Sequence, residues 1–184
     1  ICGVPIMNRL NVFRSIIGSC LLFSSSVFSA ENLNIFGSLI IAPCKVLPEH
    51  SQFDVVFDEI RLDDIYKSYF EFEKKDFKII LSECDISIAK QVKIKFEGAT
   101  HNELAGLLAL DDNANNPDLG IKITTKEGVP VNLGNYTSLY NIPNNGIFEL
   151  NFIAYLQATA KAIADKSIKP GHFSATAVFS LKYE

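Results

Sequence analysis

Residues Gly171 to Glu184 read GHFSATAVFSLKYE, and they constrain the fold more than any other stretch. Phe173, Ala175, Ala177, Phe179, Leu181 and Tyr183 occupy every second position, with Ser174, Thr176, Val178, Ser180 and Lys182 between them. Alternate side chains of a strand point to opposite faces, so this spacing builds one continuous apolar face. A helix would need apolar residues near i, i+3, i+4 and i+7, which would draw in Thr176 and Ser180. The spacing therefore predicts a strand of about 36 Å from Phe173 to Tyr183, twice the usual length. The sequence offers nothing beyond it to pair with its far edge. An open apolar edge is a liability unless something covers it.

The rest of the chain is large enough to bury one core. It has 184 residues, 48% hydrophobic and 11% aromatic, and a second domain would be cramped. Seventeen basic residues against 21 acidic give a net charge of -4, which argues against nucleic acid as the main partner. Residues 1–30 stand apart: Met7 precedes Asn8, Arg9 and Arg14, then an apolar run from Ile16 to Phe23, then Ser24 to Ala30. A basic start, a short apolar centre and a small-residue end describe a secretory signal peptide with Met7 as its start, cleaved after Ser29 or after Ala30. The apolar run is too short to span a bilayer comfortably. Removing Arg9 and Arg14 with it shifts the net charge from -4 to -6.

Of Cys2, Cys20, Cys44 and Cys84, only the last two survive cleavage. Two cysteines in an exported chain most simply pair with each other.

Along the mature chain, Leu33, Ile35, Gly37 and Leu39 share one face of an alternating stretch that Pro43 ends. Strands are predicted at Phe53–Asp58, Phe77–Leu81, Val92–Phe96, Leu107–Leu110 and Ile147–Leu156. Gly120–Thr124 and Val129–Leu133 form a hairpin about Lys126-Glu127-Gly128. Leu62–Lys75 fits a helical turn or an extended loop, and Ala158–Lys169 is taken as a loop despite its alanines. Eight or nine strands separated by turn signals indicate an all-β antiparallel sandwich.

Enzyme chemistry finds no footing. His50, His101 and His172 belong to no nucleophile or metal-ligand motif and read as surface or loop residues, and GxSxG, HExxH, P-loop and CxxC are all missing. The stretch Asp111–Asp118 has the composition of a calcium loop, but Asn116 and Lys122 stand where glycine and glutamate belong. Asn135-Tyr136-Thr137 matches the short glycosylation pattern. No cofactor and no metal are expected.

The two ends and the cysteine pair together resemble the structural pilins of the chaperone–usher pathway, the type 1 fimbrial subunit family of Gram-negative bacteria. The residues that carry the resemblance are Gly37 seven positions before Cys44, the Cys44 and Cys84 spacing, Ser82-Glu83-Cys84-Asp85, Leu107–Leu110, Gly120–Ile123, Gly171 fourteenth from the end and the penultimate Tyr183. The resemblance covers Leu33 to Glu184. It implies an incomplete immunoglobulin-like antiparallel β-sandwich that lacks its last strand, with 1–30 as upstream residues and signal peptide, 31–43 as donor extension and 44–184 as pilin domain. It also implies that a periplasmic immunoglobulin-like chaperone fills a groove beside Gly171, Phe173, Ala175, Ala177, Phe179, Leu181 and Tyr183. At an outer-membrane usher the extension of a neighbouring subunit, with Leu33, Ile35, Gly37 and Leu39 as donor residues, replaces the chaperone strand. The product is an adhesive fimbria on the cell surface. The short extension, together with Phe36 and Ile40 on its other face, leaves open a minor, adaptor or terminating subunit. A self-complete secreted binding module is the competing reading.

Overall fold

The computed structural model describes residues 41–67, 71–111 and 116–184. The signal peptide expected within residues 1–30 and the positions Leu33, Ile35, Gly37 and Leu39 lie outside the described residues. Two antiparallel sheets face each other. The first runs β1 (Glu71–Cys84), β6 (Gly146–Ala158), β4 (Leu119–Thr125), β3 (Leu108–Ala109), and the second runs β5 (Tyr140–Asn141), β2 (Gln91–Gly98), β7 (Ala177–Tyr183).

Period-two patterning sets which side faces in. Along β6, Leu150, Phe152, Ala154, Leu156 and Ala158 are buried and the residues between them are not; along β2 the same holds for Val92, Ile94 and Phe96. Phe152 centres the core. It lies directly opposite Phe77 in the β1–β6 ladder, and its ring meets those of Phe77, Phe96 and Tyr140 at centroid distances of 5.5, 5.2 and 6.4 Å. Each such side chain stabilises the fold by about 1.5–3 kcal/mol through burial, and edge-to-face rings add to that.

Cys44 and Cys84 are joined by a disulfide, and both are buried. Around it, Lys45 and Ser82 exchange both backbone hydrogen bonds at 2.8 Å, and the Asp85 amide donates to the Pro43 carbonyl at 2.7 Å. Residues 43–45 are thereby stapled to the end of β1.

Several sequence expectations need correction. Seven strands, rather than eight or nine, occur among the described residues. Residues 53–60 enter no ladder with any described residue, although Phe53, Val55 and Phe57 alternate as a strand would. The hairpin turn at Lys126–Gly128 forms, but its second arm reduces to a bridge between Thr124 and Pro130. Ala160–Asp165 is a helix rather than a loop. The Thr159 hydroxyl caps it by accepting from the Ala162 amide, and Lys166 closes it in the left-handed conformation that glycine more often supplies. This helix is α3; α1 (Pro48–Ser51) and α2 (Leu62–Lys67) precede β1, so the ambiguous Leu62–Lys75 divides into helix and strand. His101 is buried rather than exposed, and its Nδ1 accepts the Glu103 and Leu104 amides at 3.1 and 3.0 Å.

The long C-terminal strand is also shorter than its pattern. It pairs with β2 only from Ala177 onward, with Phe179 opposite Phe96, Leu181 opposite Ile94 and Tyr183 opposite Val92. The reason lies in β2. A Cβ at Gly98 would stand 2.5 Å from the Leu108 side chain and 2.8 Å from the Thr176 carbonyl, so a side chain has no room there. Beyond it the chain turns to pair with 107–109, through Ala109 N–H to the Ala99 carbonyl and His101 N–H to the Leu107 carbonyl. Phe173–Thr176 has lost its partner. Asp111 holds this part instead, its amide donating to the Ser174 carbonyl and its carboxylate accepting from the Thr176 amide and hydroxyl.

Candidate functional site: an open groove between two walls

Between residues 51–60 and 171–179 lies a groove of about 1500 Å³. Its floor is the sandwich interior itself: Phe77 of β1, Ala154 of β6, Ile121 and Ile123 of β4, Leu108 of β3 and Phe96 of β2. In a closed sandwich these side chains would be covered by a further strand. Among the described residues β7 pairs only with β2, and 52–60 makes no backbone hydrogen bond to any other segment. Two backbones with unused donors and acceptors therefore flank an apolar trough. Such an arrangement accepts an extended chain, with ladder bonds along the edges and alternate side chains inserted into the floor.

The sequence-selected residues divide between two roles. Gly171, Phe173, Ala175, Ala177 and Phe179 line the groove. Phe173, Ala175 and Phe179 are half-buried against the core, whereas Gly171 and Ala177 are exposed. Leu181 and Tyr183 lie beyond the groove, half-buried on Ile94 and Val92. Burial pushes the Tyr183 phenol above its ordinary value of 10.0. At the strand end the Lys93 ammonium bonds to Glu184 and holds its carboxyl below the usual range, while Lys95 does the same for Glu97. The Lys93–Glu184 pair and the Ser180 hydroxyl, which donates to Glu97, tie the C-terminal strand to β2, and among the described residues its other edge has no ladder partner.

Sequence reasoning missed the opposite wall. Phe53 packs on Phe77 with ring centroids 5.9 Å apart, Phe57 reaches Phe173 at 5.8 Å, and Asp58 pairs with Lys75. That hydrogen bond to Asp58 raises the Lys75 pKa above its ordinary value. The available signal was an alternating apolar segment without an identifiable ladder partner. Among the described residues no group of His, Cys, Asp and Glu could hold a metal ion, and no helix is long and apolar enough to cross a membrane.

The fold and the groove define a class: immunoglobulin-like sandwiches that lack a strand of their own. The model of the fimbrial protein family matches residues 33–184, and the chain belongs to that family. It is 31% identical to the major MR/P fimbria protein of Proteus mirabilis (strain HI4320) over 182 residues, covering 96% of this chain and 99% of that protein. It is 30% identical to the fimbrial adapter PapK of Escherichia coli over 174 residues, covering 90% and 97%. The crystal structure of the P pilus rod subunit PapA superposes with a TM-score of 0.66 at 21% identity, over 78% of this chain and all of that one, a likeness of fold.

Proposed function

We propose that this chain is a structural, non-enzymatic subunit of an adhesive fimbria, exported through the periplasm to the cell surface and polymerised by strand exchange. The observation that carries this reading is the apolar groove of about 1500 Å³ between 52–60, which enters no ladder with a described residue, and 171–179, which pairs only with β2. During export a periplasmic immunoglobulin-like chaperone supplies the missing strand. At the outer-membrane usher the extension of the next subunit takes its place, presenting Leu33, Ile35, Gly37 and Leu39 to the floor. Burying Leu33, Ile35 and Leu39 contributes roughly 5–9 kcal/mol before ladder bonds and ordering costs are included. Because extension and groove are different surfaces of the subunit, the contact is head-to-tail, and contacts of that kind that do not close grow into filaments.

Deletion of Glu31 to Phe36 tests the donor half. The shortened subunit should still be captured by the chaperone but fail to dock onto the subunit ahead. Unchanged incorporation into fibres would overturn the donor assignment.

A second reading, an adapter or minor subunit, draws support from the likeness to the fimbrial adapter PapK and, at 26% identity, to the putative minor fimbrial subunit PmfF of Proteus mirabilis (strain HI4320). Immunogold labelling separates the two. A shaft subunit decorates the fibre along its length, whereas an adapter is confined to one position.

A further inference from the structure

We propose that the Phe57–Phe173 ring contact is a latch across the groove, and that its opening sets how fast an incoming strand is captured. The inference rests on the strand-accepting role argued above and adds a control point to it.

The wall that carries Phe57 is a strap held at its two ends. Upstream, the Cys44–Cys84 bond and the Lys45–Ser82 backbone pair fix it to β1. Downstream, α2 is anchored by buried Ile65 and by the Tyr66 hydroxyl, which donates to the Ile168 carbonyl at 3.3 Å. Between these anchors residues 52–60 make no backbone hydrogen bond to another described segment, and among the described residues side chains set their position. Phe53 on Phe77 and Asp58 on Lys75 hold the strap to its own side of the groove, since both partners belong to β1. Phe57 on Phe173 joins the two walls, with ring centroids 5.8 Å apart and planes at 54°.

That contact competes with the strand. A strand paired on both sides keeps each neighbour about 4.8 Å from its own backbone, so walls flanking it stand about 9.6 Å apart. Rings that meet across the same space must separate or rotate before the ladder can pass them. The side-chain-only attachment of 52–60 lets this happen without breaking backbone structure. Opening forfeits one aromatic pair contact, which slows association by about two- to tenfold relative to an unlatched groove.

The test follows association of a fluorescein-labelled peptide of sequence Glu31–Ile41 with the full chain by anisotropy. The proteins compared are wild type, Phe57→Leu, Phe173→Leu and the double variant. Leucine keeps the wall apolar but removes the ring pair. Each single variant should associate about two- to tenfold faster, and the double variant no faster than the faster single, because one contact can be broken only once. Capture by all four proteins with unchanged or slower association in the singles overturns the latch and leaves the groove standing. Rate gains that multiply in the double variant also overturn it, since the rings then act independently. Failure of the wild type and every variant to capture the peptide overturns the groove reading, and the latch with it.

Discussion

Removing the disulfide should cost the protein twice, once in stability and once in the groove. Cys44 and Cys84 lie 40 positions apart, and closing a loop of that length lowers the unfolded chain's entropy enough to stabilise the fold by about 4 kcal/mol at 25 °C. A domain of this size has only about 5–15 kcal/mol in total, so the bond is a large share of it. Both sulfurs are buried, so alanine is the better replacement; a serine hydroxyl there would add the cost of an unpaired polar group. With Cys44→Ala and Cys84→Ala combined, residues 43–45 would depend on the three backbone bonds to Ser82 and Asp85 and on the exposed Lys45–Glu83 ion pair. Urea unfolding of the peptide-complemented protein, followed by circular dichroism, reads the effect. At a slope near 2 kcal/mol/M the midpoint should fall by about 2 M. Peptide capture should weaken as well, because the upstream end of the 52–60 wall loses its covalent anchor. A midpoint change under about 0.5 M, with capture intact, would show that the backbone bonds suffice and would refute the staple argument.

Three other perturbations follow from the same geometry. Phe152→Ala empties the centre of the core and should destabilise by about 3–5 kcal/mol in urea titration, with a loss under about 1 kcal/mol contradicting its central place. Tyr183→Asp sets a carboxylate against Val92 on a half-buried face and should lower capture by the chaperone, so a normal periplasmic yield would count against that role. The carboxyls of Glu97 and Glu184 sit below their ordinary value of 4.5 because Lys95 and Lys93 bond to them. A carboxyl depressed in the folded state contributes stability above its ordinary value and loses it as pH falls through the folded one. The urea midpoint should therefore drop as the pH falls below that ordinary value of 4.5, and Glu97→Gln with Glu184→Gln should flatten part of that drop.

The sandwich was legible because its strands obey a simple period. Val92, Ile94 and Phe96 alternate with polar partners, and Leu150 to Ala158 does so over five buried positions, so the inward faces can be read without a structure. The cysteine pair was legible from arithmetic on an exported chain. What the pattern could not reveal is which alternating segments find a ladder. Phe53–Phe57 and Phe173–Thr176 both alternate and both stop short of a ladder, the first because no strand among the described residues pairs with it and the second because β2 turns away at Gly98. Side-chain alternation reports a face to be buried; backbone pairing also needs a partner at the right distance. The helix at Ala160–Asp165 is hard to read in the sequence because its start rests on the single cap at Thr159 and Pro170-Gly171 signals a turn close behind it. The groove itself is the sum of two such unpaired stretches, which is why its second wall escaped a reading centred on the C-terminal strand.

The central claim is that residues 171–179 and 52–60 are the two sides of one strand-accepting site. Amide hydrogen exchange of the full chain, with and without the Glu31–Ile41 peptide, tests it most directly. Protection should rise along both segments together, at alternate amides where ladder bonds form, with little change in the already paired β6. Protection confined to one wall, or spread elsewhere while both walls exchange as before, would contradict it.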